Sequence, residues 1–297
     1  MDEGPLMAIA SGNPPHGIYV NFRQSSTYIN HGFLAPLEIL LARIRSDDPR
    51  TRQTDDQGRW LADPSPEEVR EALELLKNRI YPTTWPVVYR EAEPREGVPE
   101  GEHVWALPYA TVAMAMLYRR DVLKEAGLDP ERPPRDWDEF LAYCRTVKQV
   151  PGKYGFMFSG GPTVSYSLHS FFAANGVRYM QKDDDGRWRA AFATREAAET
   201  IYYALRLAKE PFVGEDGKTY YGCAYAPATR GPEYSMMWQR GEVGMQFQTL
   251  SYDRTSEIHP AMTGVAPVPA GPRGLRGNTI NATMMGVFSQ SSPEQQL

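Results

Sequence analysis

The stretch from Leu107 to Lys148, LPYATVAMAMLYRRDVLKEAGLDPERPPRDWDEFLAYCRTVK, constrains the fold more than any other part of the chain. It opens on Leu107-Pro108-Tyr109 and enters an apolar run, Ala110 to Tyr118, made of small residues and Met. Arg119-Arg120-Asp121 begins a short helix, and Gly127 is placed to cap it in the left-handed conformation. Pro130, Pro133 and Pro134 keep the next segment extended. Asp136 then takes an N-cap position with Glu139 three residues on, the pattern of a capping box. Trp137, Phe140, Leu141 and Cys144 follow at helical spacing.

Three motifs in that stretch carry a family likeness: Leu117-Tyr118-Arg119-Arg120-Asp121, Ala126-Gly127-Leu128-Asp129-Pro130 and Asp136-Trp137-Asp138-Glu139-Phe140. In this order they resemble the extracellular solute-binding proteins of ABC importers, in the sugar-binding branch that includes maltose-binding protein. There the pattern is Leu-Tyr-Asn-Lys-Asp, Ala-Gly-Leu-x-Pro-Pro and Thr-Trp-Asp-Glu-Phe. The likeness runs from about Ile18 to Pro293. It implies an α/β, two-lobe periplasmic-binding-protein fold of type II, with discontinuous lobes joined by hinge strands. Lobe one would be residues 1–112, continued by 279–297, and lobe two residues 113–278. The crossings fall near Tyr109–Ala113 and Asn278–Ala282, where Ala110, Ala113, Ala115, Gly277 and Ala282 let strands pack closely. Members carry more chain at both ends, a first strand–helix–strand and C-terminal helices. The family implies a periplasmic or extracellular, cell-surface-associated location. Met1-Asp2-Glu3-Gly4-Pro5 itself lacks the charged-then-apolar order of an export signal.

Composition narrows the function. The chain has 297 residues, enough for one large domain or two ordinary ones, and 41% of them are hydrophobic, enough for a core. A net charge of -5 argues against nucleic acid, which needs a basic face. His16, His31, His103, His169 and His259 lie far apart in the chain and follow no metal-ligand spacing. Asp183-Asp184-Asp185-Gly186 reads as a hairpin turn, because its acids are consecutive where a calcium loop alternates them. No cofactor is implied. Cys144 lies on the apolar face of its helix and reads as a buried thiol. Two cysteines, Cys144 and Cys223, allow one disulfide, and spacing does not decide it. No apolar run approaches the length of a membrane-spanning helix.

Along the chain, Ile18-Tyr19-Val20 is a short strand, followed by a polar and aromatic loop from Phe22 to Tyr28. Arg43 to Asp63 reads as a charged surface insertion. Ser65-Pro66-Glu67-Glu68 starts a helix whose buried stripe is Val69, Leu73, Leu76 and Ile80. It ends at Tyr81-Pro82-Thr83-Thr84-Trp85, which resembles the maltose-binding branch at the same place. Glu91 to Glu102 is an exposed acidic loop. Tyr154 to Phe158 is a strand, and Thr163 to Ala174 a helix with Leu168, Phe171 and Phe172 inside. Thr194 caps a helix carrying Ile201, Leu205 and Ala208. Gly241-Glu242-Val243-Gly244-Met245 leads into the strand Gln246-Phe247-Gln248, and VAPVPAGP at Val265–Pro272 resembles a family motif. Asn281 to Ser289 is the strand that returns to the first lobe.

A sugar needs hydrogen-bond partners for each hydroxyl it takes out of water, and flat apolar faces for its C–H groups. The resemblance places such residues at cleft-facing turns: Phe22, Arg23, Gln24 and Ser25 after the first strand, and Tyr109 and Thr111 at the first hinge. From lobe two come Tyr166, nine residues before Asn175-Gly176, and Gln248, Ser251 and Tyr252. Core packing is the alternative for each aromatic. Two family glutamates correspond to Val112 and Val164, which implies a ligand other than maltose. The implied partners are a small sugar-like ligand and a membrane permease, with the chain monomeric. The competing class is a glycan-active enzyme, which needs two carboxylates across the scissile bond. Glu38, Glu233 and Asp253 each sit in a segment with a simpler reading, and no nucleophile elbow, P-loop or His-Glu-x-x-His occurs. A non-binding scaffold fragment is the third reading.

Overall fold

The computed structural model of the chain describes residues 7–8, 11, 15–20, 25–93, 99–228, 233–249, 260–278 and 280–297. The long strand Leu107–Arg119 carries the chain from one folding unit into the next. Met1–Thr111 with Asn281–Leu297 form unit one, and Val112–Ile280 form unit two.

In unit one, β1 (Gly17–Val20) pairs antiparallel with the returning strand Ile280–Val287, Gly17 opposite Val287 and Val20 opposite Met284. Ile18 and Val20 point inward while Gly17 and Tyr19 point out, the two-residue period of a strand with one buried face. Helices α1 (Ser25–Asn30), α2 (Leu37–Arg45) and α3 (Pro66–Arg79) follow. Residues 25–28, expected as loop, are helical because Tyr28 and Ile29 drop into the core and pull that turn with them. Helix α3 starts as its sequence dictates. Glu68 N–H donates to Ser65 Oγ, and Ser65 N–H donates back to Glu68 Oε2 at 2.7 Å. The short helix α4 (Trp85–Val88) runs into the hairpin of β2 (Tyr89–Glu91) and β3 (Glu102–Val104). The core is largely aliphatic, with Ile18, Val20, Leu34, Leu40, Leu76, Val104 and Met284 around Tyr28 and Trp105.

The surface insertion expected at Arg43–Asp63 needs correcting at its first residue. Arg43 is buried within α2. Its guanidinium lies over the Trp60 ring, donates to the Ala62 carbonyl at 2.8 Å and pairs with Asp63 at 2.5 Å. A charged side chain here holds a loop onto a helix rather than facing water.

Unit two is built on the second half of β4 (Leu107–Arg119). After it come α5 (Arg120–Glu125), which ends at Gly127 with φ 75°, and α6 (Trp137–Lys148). Asp136 caps α6 by accepting from the Asp138 and Glu139 N–H groups. Glu139 does not close the box on Asp136; its carboxylate accepts from Arg135 N–H at 3.0 Å. Next are β5 (Tyr154–Met157), α7 (Val164–Ala174), the hairpin β6 (Met180–Lys182) and β7 (Trp188–Ala190), and α8 (Arg195–Lys209). A second hairpin, β8 (Pro211–Val213) and β9 (Thr219–Tyr221), leads to β10 (Ala224–Tyr225), α9 (Glu233–Gln239), β11 (Val243–Thr249) and β12 (Thr263–Ala266). The strand order is β4, β11, β5, β10, with β12 also on β4. β11 is antiparallel to β4 and parallel to β5, and β10 is parallel to β5. Helix α8 turns Tyr203 and Leu207 inward, so Ile201 and Leu205 lie exposed on its outer side. The core is aromatic: Phe140, Phe156, Phe158, Phe171 and Phe247 meet around Trp137 and Tyr203.

Candidate functional site

Unit one holds a hollow of about 480 Å³ where α3 ends beside β4, lined by Arg79, Tyr81, Thr83, Pro108 and Tyr109 among others. Its shape follows from local chemistry. The helix stops at Ile80, whose N–H still donates to the Leu76 carbonyl, and Pro82 cannot continue it. Thr84 and Trp85 N–H groups both donate to the Tyr81 carbonyl, which tightens the turn. Ile80 stays in the core while Tyr81 is 73% exposed, and Tyr109 is 60% exposed on β4. Two tyrosine rings, a threonine hydroxyl and a guanidinium thus border one concave surface. This combination offers flat apolar faces and hydrogen-bonding groups together.

The expected ligand residues fall into three groups. Tyr109 lines this hollow. Ser25 is buried at the start of α1, and Thr111 lies on β4. In unit two, Tyr166 is half-buried on α7 and packs against the aromatic core. Gln248 is half-buried near the end of β11, opposite Ala115, and its Oε1 accepts from Thr249 N–H at 3.1 Å. Phe22, Arg23, Gln24, Ser251 and Tyr252 lie outside the described residues. Arg79, Tyr81 and Thr83 were not among the expected residues. The signal for them was the turn Tyr81-Pro82-Thr83, where an aromatic follows directly on the last buried position of a helical stripe.

A larger hollow, about 1030 Å³, lies in unit two around the start of α6 and the face of α8. Most of its charged side chains are already paired. Arg135 is tied to Glu139 at 2.6 Å, Arg206 to Glu210 at 3.1 Å, and Arg273 to Glu196 at 3.1 Å. The Arg135 guanidinium holds Glu139 down at about 2. Trp137 stacks on Tyr203 at 4.2 Å, and the Tyr203 hydroxyl donates to the Trp137 carbonyl. Tyr202 on α8 is exposed here, as Tyr81 and Tyr109 are in the smaller hollow, but only the smaller hollow sets two exposed tyrosines together, and we place the candidate site there.

One titratable pair of unit one lies elsewhere. Glu38 on α2 is buried, and its carboxylate meets His103 Nδ1 at 2.5 Å and accepts from Val104 N–H at 3.0 Å. His103 Nε2 faces the Glu100 carbonyl at 2.9 Å. Both ring nitrogens point at acceptors, so the arrangement is satisfied by the imidazolium. The Glu38 hydrogen bond raises His103 above its ordinary value against the opposing effect of burial. Among the described residues, no three His, Cys, Asp or Glu side chains gather as a metal site, and no helix is long and apolar enough to cross a membrane.

Comparison with known proteins fits this architecture. The family model for bacterial extracellular solute-binding proteins matches residues 6–296. A binding protein of Brucella abortus (strain 2308) is 27% identical over 298 residues, covering 97% of this chain and 64% of its own length. A solute-binding protein of an ABC transporter from Thermotoga lettingae, solved with alpha-D-tagatose, superposes with a TM-score of 0.66 at 20% identity. That match covers 97% of this chain and 62% of the other. Maltose-bound MalE3 of T. maritima gives a TM-score of 0.62 at 20% identity, covering 98% of this chain and 62% of the other. The chain thus spans a little under two thirds of the length of these relatives. With a two-lobe α/β fold and a family match over nearly its whole length, the chain belongs to the bacterial extracellular solute-binding protein family.

Proposed function

We propose that this chain is the solute-binding component of an ABC importer. It captures a sugar or oligosaccharide and delivers it to a membrane permease without changing it chemically, acting as a monomer outside the cytoplasmic membrane. The lobes of this reading are residues 1–112 with 279–297, and 113–278. The ligand is held by Phe22, Arg23, Gln24, Ser25, Tyr109, Thr111, Tyr166, Gln248, Ser251 and Tyr252, joined by Arg79, Tyr81 and Thr83.

The observation that carries the reading is the unit-one hollow with Tyr81 and Tyr109 largely exposed. Two exposed aromatic rings bordering one concave surface offer the flat faces that a sugar ring covers with its C–H groups. The volume is within the range of small-molecule sites. Relatives solved with tagatose and maltose support the same ligand class.

The test is a thermal-shift screen against monosaccharides and oligosaccharides. A ligand at 100 times its Kd adds about 2.7 kcal/mol to stability, a shift that is easily read. The expected result is a shift for at least one sugar, cut to about half in Tyr109→Ala at the same sugar concentration. No shift with any sugar overturns the sugar assignment, and hydrolysis of a shifting oligosaccharide in the same samples would move the reading to a glycan-active enzyme.

A further inference from the structure

Cys144 and Cys223 are far apart in sequence, yet both are fully buried thiols in the core of unit two. Gly155 on β5 brings them together. Its N–H donates to the Cys223 carbonyl at 2.8 Å, so Cys223 sits across one strand gap, just before β10. On the helix side, a Cβ at Gly155 would stand 2.1 Å from Cys144 Cα and 2.6 Å from Cys144 Cβ. Only a residue without a side chain lets α6 approach the strand this closely.

The separation of the two cysteines follows. A Cα–Cβ bond adds about 1.5 Å, which puts Cys144 Cα no more than about 3.6 Å above Gly155 Cα. Neighbouring strands are about 4.8 Å apart in the perpendicular direction, so the Cα atoms of Cys144 and Cys223 stand about 6 Å from one another. That is the commonest Cα separation of disulfide-bonded pairs. Both side chains are also fully buried in the same core cluster.

We propose that Cys144 and Cys223 form an intramolecular disulfide in the exported protein, pinning the middle of α6 to the strand edge at β10. The family is extracellular, and disulfides form and persist in that kind of compartment. The co-reactant is a disulfide oxidant of the export compartment. One cysteine thiolate attacks its sulfur to give a mixed disulfide and release one thiol. The second cysteine then displaces the other thiol, and two S–H bonds are exchanged for one S–S bond. Burial pushes the Cys144 thiol well up and Cys223 adds to this, so the thiolate needed for attack is not available in the folded core. The bond therefore forms during folding, before α6 closes over β5.

The test uses the chain exported into an oxidising periplasm by a fused signal, then denatured in guanidinium with N-ethylmaleimide and no reductant. The expected mass shows no adduct, two adducts after prior reduction, and a monomer on a non-reducing gel. One or two adducts without reductant, or a disulfide-linked dimer, overturns the proposal. Because the readout is on unfolded chain, it does not depend on a cysteine variant that fails to fold, nor on the identity of the ligand.

Discussion

The two units hold themselves together by different means. Unit two encloses a cluster of rings in which Phe171 alone meets Trp137, Phe140, Phe156, Phe158, Tyr203 and Phe247, with centroids 4.9 to 6.3 Å away. Unit one packs aliphatic side chains and buries Glu38 against His103 in their midst. The first core depends on shape and hardly on pH. The second depends on two groups keeping their charges. Unit two also buries a cation, Arg119, which pairs with Asp121 at 2.5 Å.

The sharpest way to break this contrast is to remove volume from unit two. Phe171→Ala deletes the hub of the ring cluster, and a loss of about 4 kcal/mol is expected from lost transfer energy and the cavity left behind. Denaturant unfolding followed by tryptophan fluorescence should show the drop at every pH tested. A loss under about 1 kcal/mol would mean that neighbouring rings collapse into the space, and that the cluster is not the keystone it looks to be.

Glu38→Gln does the corresponding damage in unit one. It removes the charge-assisted hydrogen bond to the His103 imidazolium, and a loss of about 2 kcal/mol is expected. The pair also gives unit one a pH dependence with a definite sign. His103 is raised in the folded state above its ordinary 6.5, so its contribution is complete below that value. It is lost as pH rises through the higher folded value. Melting of wild-type protein should therefore weaken between about pH 6.5 and the alkaline side, and His103→Gln should flatten that slope. An unchanged slope in the variant would assign the pH dependence to other groups.

These differences also explain what could be read from sequence. Signals that act within four residues were legible: the Ser65–Glu68 box, the Asp136 cap and the Gly127 stop all form where they were expected. Pairings across long stretches of chain were not. Nothing near Glu38 announces His103, and nothing near Arg43 announces Asp63, because charge alone does not tell a solvated side chain from one folded inward. Helix α1 belongs with these, since residues 25–28 carry loop chemistry that Tyr28 and Ile29 override by burial. Tyr109 was expected from the family pattern, and it lines the unit-one hollow. Tyr81 and Thr83 were visible only as the end of a helix until the turn was seen to open onto the same hollow as Tyr109. The meeting of Cys144 with Cys223 required the third dimension altogether, through a glycine on a strand between them.

The smallest expected effect separates the units by function. Tyr109 is 60% exposed and contributes little to the fold, whereas Tyr166 is half-buried against the aromatic core of unit two. Tyr109→Ala should leave the melting temperature of the ligand-free protein nearly unchanged. It should weaken sugar binding about tenfold, the equivalent of ~1.4 kcal/mol for one lost stacking face. Tyr166→Ala should lower both, because it takes contacts from the core as well as from the proposed ligand. Calorimetric titration of both variants, each with a melting curve taken without ligand, separates the two contributions. If Tyr109→Ala melts several degrees lower and binds normally, its ring is part of the structure of unit one and the hollow is not where the sugar stacks. If Tyr166→Ala loses only stability, unit two offers the ligand something other than that ring, and Gln248 at the end of β11 becomes the next residue to replace.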